Sequence, residues 1–226
     1  MIAAFLIAAA ALSGGAAAFK AAWPDASVIA SADGSRLIHA SAFEAPGLGD
    51  SPESAAAALL EKYASAFGIG PRQKLVAIDH PAPGPAVVVH FERRIGGLPV
   101  FDGGITVGLT AANAVIVVNS ADVPSAVSGR ARVSRKEAAR LAKAATPKLV
   151  TSDIPRAERG WRAAGKTVRP VWRVDFTATR PKGDWRSYVD AETGKVLQRI
   201  DLRNSIPQPG IAPPKAAGFD ERPQGR

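Results

Sequence analysis

The chain of 226 residues contains no cysteine, three histidines and a single methionine. The absence of cysteine excludes a disulfide framework and any site that binds a metal through thiolates. The histidines, His39, His80 and His90, are far apart, and none belongs to the His-Glu-x-x-His motif that binds zinc in many metalloproteases. The sequence therefore predicts neither a metal site nor a zinc-protease active centre, and we expect no cofactor.

Motifs of other common catalytic sites are also missing. No serine lies in a Gly-x-Ser-x-Gly sequence, and no glycine-rich loop of the phosphate-binding type occurs. The carboxylates closest to an acid–base arrangement are Asp175, Asp184, Asp190 and Glu192. A turn-forming role for Asp190 and solvent exposure of the other three explain this group without catalysis. We therefore predict a protein that is not an enzyme and has no catalytic residues.

The N-terminus has the pattern of a secretory signal. Residues 2–12 form an apolar run that is too short for a membrane-spanning helix of about 20 residues. Small residues follow, and cleavage after Ala18 or Ala22 suits signal peptidase. We therefore predict a signal peptide over residues 1–18, a secreted, periplasmic or cell-envelope location, and membrane contact only through the signal peptide. An uncleaved anchor is the alternative.

Charge is distributed unevenly along the chain. Residues 1–129 carry 7 Lys or Arg and 10 Asp or Glu, a net −3, and residues 130–226 carry 22 and 10, a net +12, which together give the overall +9. This asymmetry indicates two units, of which the second can face an acidic partner. A solvated basic surface without a partner explains the charge equally well. The arginines do not alternate with aromatic residues, so specific nucleic-acid binding is not expected.

Residues 51–127 have the pattern of a helix followed by antiparallel strands. Ser51 and Pro52 suit the beginning of a helix that we expect to extend to residue 67. Strands are predicted at 75–78, 87–93, 105–109 and 115–119, joined by short turns. Before this unit, residues 19–50 predict an irregular segment with only a short edge strand at 35–39.

Residues 128–204 have a similar pattern. Ser134 and Glu137 predict a capping box that begins a second helix. Strands are predicted at 170–177, 185–190 and 195–202, the last two joined by a turn. The polar segment 151–169 predicts a long excursion, in which Trp161 is a candidate for an exposed contact, and the proline-rich residues 205–226 predict a disordered tail or linker. The predicted fold class is α+β, with two small units that each pack a helix on an antiparallel sheet.

The succession of these units resembles the pro-region of secreted bacterial zinc metalloproteases. The first helix, the turn Gly-Leu-Pro-Val-Phe at 97–101 and the strand after it resemble the fungalysin/thermolysin propeptide (FTP) module. The second helix, Pro-Val-Trp-Arg-Val at 170–174 and Val-Asp-Ala-Glu-Thr-Gly at 189–194 resemble a PepSY domain. Two positions depart from the FTP pattern: Arg93 replaces a frequent glutamine, and His90 replaces a frequent arginine.

The resemblance implies a propeptide-like function. Such pro-regions act as intramolecular chaperone and inhibitor of a thermolysin-like zinc metalloprotease domain, which stays a zymogen until cleavage. The sequence shows no protease domain, so action in trans and a place in a longer precursor both remain open. The turn is expected to be exposed, which makes Leu98, Pro99, Val100, Phe101 and Asp102 the candidate protease-contact residues, together with the tail from Asn204. The alternative is a cell-envelope binding protein that uses PepSY-type domains to bind peptide or an anionic polymer.

Overall fold

The computed structural model describes residues 11–78, 86–146, 150–151 and 153–203. Within these residues the chain forms two antiparallel sheets and three α-helices, so the predicted α+β class is confirmed. The predicted tail 205–226, Asn204 and the first ten residues lie outside the described residues. None of the described helices is long and apolar enough to cross a membrane.

The first unit, residues 11–127, contains two helices and a seven-stranded sheet. Its helices are α1 (Gly14–Ala22) and α2 (Pro52–Lys62). Its strands are β1 (Ser27–Ala30), β2 (Leu37–Ser41), β3 (Gln73–Ala77), β4 (Ala86–Ile95), β5 (Leu98–Pro99), β6 (Ile105–Thr110) and β7 (Val115–Ser120). Their spatial order is β1-β2-β7-β6-β4-β3, and the short β5 pairs with β4. Strand β2 pairs on both sides, so the prediction of an edge strand here was wrong.

The N-terminal segment 19–50, predicted to be irregular, is an ordered part of the first unit. Helix α1 places Ala16 and Phe19 in the core, and both are fully buried. The ring of Phe19 meets three other rings edge-on, at centroid distances of 5.3, 5.0 and 5.6 Å, namely those of Phe43, Tyr63 and Phe67. The first unit therefore begins about 40 residues earlier than predicted, because α1, β1 and β2 complete its core.

The predicted cleavage positions lie in this packed helix. Ala18 is in the middle of α1, and Ala22 is its last residue. The end of the helix is held by the Lys20 ammonium, which donates to the carbonyl oxygens of Pro24 at 2.7 Å and Ala26 at 2.6 Å. Cleavage after Ala18 would divide α1, and cleavage after Ala22 would remove it from the core. The signal peptide itself stays a prediction.

Helix α2 begins as predicted. The Ser51 hydroxyl accepts a hydrogen bond from the Ser54 amide at 3.1 Å, and the Ser54 hydroxyl accepts one from the Ser51 amide at 2.9 Å. The helix ends at Lys62, and the chain continues to Gly68 in turns, so the predicted end at residue 67 was too far along the chain. Its buried face packs on the first sheet through Ala55, Ala56, Leu59 and Leu60.

Arg93, on β4, is a fully buried cation at the centre of the first unit. Its guanidinium donates to the carbonyl oxygens of Gly68 at 2.9 Å, Phe67 at 3.2 Å and Gly103 at 3.2 Å. It also donates to two side-chain oxygens, those of Gln73 at 2.8 Å and Ser120 at 3.3 Å. No carboxylate pairs with it among the described residues, and burial lowers the pKa of Arg93 to about 10. The side chain thus joins the segment after α2, strand β3 and the end of β7 through neutral acceptors.

The second unit, residues 128–203, packs one helix on a five-stranded sheet. The helix is α3 (Arg135–Ala144). The strands are β8 (Val150–Thr151), β9 (Arg156–Ala164), β10 (Thr167–Arg180), β11 (Lys182–Asp190) and β12 (Val196–Asp201). Their order is β12-β11-β10-β8, and β9 also pairs with β10. The core on this side lies between α3 and the sheet, and its helical part consists of Ala138 and Ala142.

The segment 151–169, predicted to be a long excursion, is mostly strand. Strands β9 and β10 form a hairpin whose paired residues run from Thr167 and Ala164 to Pro170 and Trp161. Most side chains of β9 are exposed or half-buried, and only Ala157 and Gly160 are buried. The prediction of an excursion was wrong because β9 contributes little apolar surface to either core, so its sequence lacks the alternation that indicates a strand.

Local turns and caps of the second unit agree closely with the sequence. The Ser134 hydroxyl accepts from the Glu137 amide at 3.2 Å, which is half of the predicted capping box. The Glu137 carboxylate binds Arg140 instead of completing the box. Asp190 fixes the predicted turn, because its carboxylate accepts from the amides of Glu192 at 2.9 Å and Thr193 at 2.8 Å.

Candidate functional site

The candidate contact segment, residues 98–102, forms a tight turn between β4 and β6. Gly96 and Gly97 both have positive φ, a conformation that glycine adopts without steric cost, and they reverse the chain so that β5 pairs with the end of β4. Asp102 also has a positive φ of 58°. The sequence predicted this turn correctly, but not what it touches.

The turn packs against the second unit. The Phe101 amide donates to the carbonyl oxygen of Trp161 at 2.8 Å, and the Trp161 indole donates to the carbonyl oxygen of Ile95 at 3.0 Å. Only 3% of Val100 and 6% of Phe101 are exposed. The expectation of exposure, on which these two residues were chosen, was therefore wrong. Leu98 and Pro99 are half-buried, and Asp102 is exposed.

Gly160 on β9 permits this close approach. A Cβ atom at Gly160 would lie 2.6 Å from the ring of Phe101 and 2.7 Å from the carbonyl oxygen of Pro99. Behind the turn, Phe101 packs with Tyr188 and Val171 in a small apolar cluster. A second cluster, on the other side of the turn, consists of Ile95, Val100, Val123 and Val168. We call residues 98–102 and 160–162, together with these two clusters, the module junction. It is an apolar contact between the two units.

Polar groups surround the module junction. The Arg162 guanidinium lies 3.2 Å from the Asp102 carboxylate and 4.1 Å from the centroid of the Tyr188 ring. The Tyr188 hydroxyl donates to Asp102 at 3.4 Å. Burial, together with the charge of Asp102, raises the pKa of Tyr188. The phenol therefore stays protonated at neutral pH and can act as a donor to Asp102.

An open cleft of about 250 Å³ runs along the module junction. One wall holds Arg186, which binds Asp175 through two hydrogen bonds of 2.8 and 3.0 Å, and Arg173, which binds Glu158 at 2.5 Å. The paired hydrogen bonds to Asp175 raise the pKa of Arg186. These carboxylates are engaged by arginines of the same unit, so the ion pairs hold strands β9, β10 and β11 together along this wall.

The described residues contain no group of three or more side chains that could hold a metal ion. His39 makes hydrogen bonds with Asn119 at 2.8 Å and Ser41 at 2.9 Å. His90 contacts Thr106 at 3.1 Å on the neighbouring strand, and His80 lies outside the described residues. The two imidazoles that the structure describes therefore lie on different strands, and each makes hydrogen bonds within the first sheet.

Family comparisons match a part of each unit. Residues 84–121 match the Fungalysin/Thermolysin Propeptide Motif, FTP, and residues 132–199 match the Peptidase propeptide and YPEB domain, PepSY. The chain carries an FTP motif followed by a PepSY domain. The resemblance inferred from the sequence is therefore confirmed. The FTP match spans β4 to β7 and contains the whole turn at 98–102, and the PepSY match begins just before α3 and ends in β12.

A solved structure with some likeness is the Bacillus megaterium YpeB C-terminal domain. It shares 11% sequence identity at a TM-score of 0.34, over 74% of this chain and 72% of that chain. A likeness at this level carries no argument about function. No curated protein sequence matches the chain significantly.

Sequence reasoning missed the residues that receive the turn. Gly160, Trp161 and Arg162 lie in the segment predicted to be an excursion, and Trp161 was expected to be an exposed contact rather than part of the junction. Tyr188 was predicted to lie in a strand, but its contacts with Phe101 and Asp102 were not predicted. The sequence Gly-Trp-Arg at 160–162 is only a weak indication of a contact site, because the residues that it contacts are about 60 positions away in the chain.

Proposed function

We propose that this chain is a non-catalytic, propeptide-like protein that assists the folding of a thermolysin- or fungalysin-type zinc metalloprotease and inhibits it. The observation that supports this best is the succession of an FTP motif and a PepSY domain, two propeptide-type domains. The proposal covers action in trans and action within a longer precursor. The location that follows is outside the cytoplasm, in the periplasm, the cell envelope or the medium.

The two activities follow from one binding event. A protein that binds the native protease and not its unfolded chain stabilises the native state by linkage, in proportion to the logarithm of its concentration over the dissociation constant. The same complex excludes substrate if the bound protein covers the cleft. Chaperone and inhibitor activity should therefore depend on the same surface.

We place the protease-contact surface on the exposed side of the turn at residues 98–102. Leu98 and Pro99 are half-buried and Asp102 is exposed, so these three can touch a partner. Val100 and Phe101 are buried in the module junction, so their part in this proposal is to hold the other three in place. Hydrogen bonds from Phe101 to Trp161 and from Tyr188 to Asp102 fix that geometry.

The experiment is inhibition of a thermolysin-like protease from the same organism by the purified full chain. We expect saturable inhibition at a one-to-one ratio and a higher yield of active protease on refolding. Leu98→Asp should weaken inhibition at least tenfold. Its control is Ile29→Asp on β1, which makes the same kind of apolar-to-acidic change at an exposed residue away from the turn and should leave inhibition unchanged. Absence of both inhibition and refolding assistance would contradict the proposal.

A second candidate is a cell-envelope binding protein that binds peptide or an anionic polymer. The net charge of +12 on residues 130–226 favours it. Binding of this kind should weaken steeply between low and physiological salt, because exposed charges are screened over about 8–10 Å. Salt-sensitive binding to isolated envelope material without protease inhibition would favour this candidate over the first.

A further inference from the structure

A concave surface lies on the second unit, away from the module junction. It is a groove of about 550 Å³ between helix α3 and the start of β9. Its apolar part is formed by Ala139 on the helix and by Ile154, Pro155 and Ala157 on the opposite side. Ile154 is 88% exposed, although it is one of the largest apolar side chains in this unit. The volume is that of a site for several side chains.

The helical wall of this groove is strongly basic. Arg135, Lys136, Arg140 and Lys143 line it, at spacings that place them on one face of α3. Glu137 pairs with Arg140 at 2.6 Å, and this pairing raises the pKa of Arg140. In the part of the chain that the structure describes, no carboxylate pairs with the other three cations.

We propose that this basic groove binds an acidic segment of a partner polypeptide, with apolar side chains between its carboxylates. Four cations and one carboxylate give the helical wall a net charge of +3, which complements a segment of several Asp or Glu residues. The apolar floor of Ile154, Pro155 and Ala139 provides the surface on which the apolar side chains of that segment pack. The 10 residues of α3 measure about 15 Å, the length of roughly five extended residues.

The shape and composition of the groove favour a polypeptide over other anions. A membrane surface is flat, and helices that bind it insert large apolar side chains, whereas the outer face of α3 presents cations and alanine. Single-stranded nucleic acids bind to cationic surfaces that also carry stacking aromatic side chains, and none of the described residues that line this groove is aromatic. Polymers of sugar and phosphate have no apolar side chains to contact Ile154. The inference is independent of whether the partner is a protease.

The test uses the full chain and two labelled, end-capped peptides, Glu-Glu-Leu-Ile-Leu-Glu-Glu and Glu-Glu-Ser-Ser-Ser-Glu-Glu, in a fluorescence anisotropy titration. We expect saturable binding of the first peptide and at least tenfold weaker binding of the second. The double variant Lys136→Glu/Lys143→Glu should reduce affinity for the first peptide at least tenfold. Ile154→Ser should reduce it about threefold to tenfold, and because Ile154 is 88% exposed the variant should fold normally.

Two controls separate the groove from general charge attraction. Arg72→Glu/Lys74→Glu makes the same change in charge on exposed residues of the first unit and should alter affinity less than twofold. Ile29→Ser is the matched control for Ile154→Ser. The proposal is overturned if the native chain does not bind the first peptide, if both peptides bind equally, or if the control pair loses as much affinity as the groove pair. Vesicles of phosphatidylglycerol and phosphatidylcholine form a further arm: groove-dependent binding to them, without peptide binding, would assign the surface to membranes instead.

Discussion

The two units of this protein bury apolar surface in different ways. The first unit has a large core to which α1, α2 and the sheet all contribute, with Phe19, Phe43 and Phe67 among its buried side chains. In the second unit, the only fully buried side chains of α3 are the small Ala138 and Ala142, and its Leu141 is partly buried against the same cluster. Since apolar burial stabilises a fold by roughly 25 cal/mol per Å², the first unit is expected to be the more stable of the two.

The units also differ in where their cations lie. The first unit buries Arg93 among neutral acceptors and has a negative net charge overall. None of the cations that the structure describes in the second unit is fully buried, and those of α3 line a groove. We therefore propose a division of roles, in which the first unit supplies stability and holds the turn at 98–102, and the second supplies charged surface for a partner.

The largest expected effect tests whether α1 belongs to the core of the first unit. A chain that starts at Phe19 or Trp23 should lose cooperative unfolding of the first unit, whereas a chain that starts at Leu12 should keep it. Phe19→Ala in the full chain should lower the free energy of unfolding by about 3–5 kcal/mol, because a buried ring is replaced by a cavity. Urea denaturation followed by circular dichroism measures both effects. A secreted mature protein whose N-terminus is Phe19 or Trp23, with full stability, would contradict the comparison.

The next effect tests the buried cation of the first unit. Arg93→Met should lower the free energy of unfolding by about 3–5 kcal/mol, because the five acceptors that it now satisfies would be left without their donor. The control is Arg94→Met, whose side chain is 42% exposed and pairs with Glu92 on the surface, and which should cost less than about 1 kcal/mol. Equal effects in denaturant titrations of the two variants would show that Arg93 is not a structural centre.

The lowered pKa of Arg93 predicts how the difference in stability between the native chain and Arg93→Met depends on pH. Burial lowers this pKa to about 10, below that of an exposed arginine, so the unfolded chain binds this proton more tightly than the folded protein does. Above about pH 10, the folded protein releases this proton before the unfolded chain does. The contribution of this group to the free energy of unfolding therefore rises with pH above about 10 and is constant below it. The difference in unfolding free energy between the native chain and Arg93→Met should stay constant from pH 5 to 9.

The smallest expected effect concerns the contact between the units. Gly160→Ala would place a methyl group 2.6 Å from the Phe101 ring and should lower the free energy of unfolding by about 1–3 kcal/mol. Gly104→Ala is the control, because its added methyl would meet only the Phe91 carbonyl oxygen at 3.4 Å. We expect the Gly160 variant to unfold in two separated transitions by tryptophan fluorescence and circular dichroism. A single transition at native stability would mean that the junction tolerates the methyl group without loosening.

Local features of the chain were largely predictable. Ser51 and Ser134 begin helices as expected, Asp190 fixes its turn, and Gly96 and Gly97 reverse the chain before the predicted contact segment. Each of these depends on hydrogen bonds or dihedral angles within a few residues. Such features are therefore determined by the residues immediately around them. The motifs that identified the FTP and PepSY units consist of features of this kind.

Features with distant partners were not predictable in the same way. The alanine-rich stretch before Phe19 is compatible both with a signal-peptide cleavage region and with helix α1. The helix is stabilised by packing of Phe19 on Phe43, Tyr63 and Phe67, which are distant in the sequence. The polar β9 has little apolar periodicity, and its place depends on pairing with β10. Exposure of Val100 and Phe101 could not be judged from the turn alone, since Gly160 and Trp161 cover them.

The sequence by itself determined the fold class, the order of the two modules and the identity of the turn, because helix caps, strand alternation and turn glycines act over short distances. Only the tertiary structure decided which of these surfaces are buried. Burial depends on which segments meet, and the contacts that bury α1, Arg93 and the turn at 98–102 join residues as few as 10 and as many as 86 positions apart.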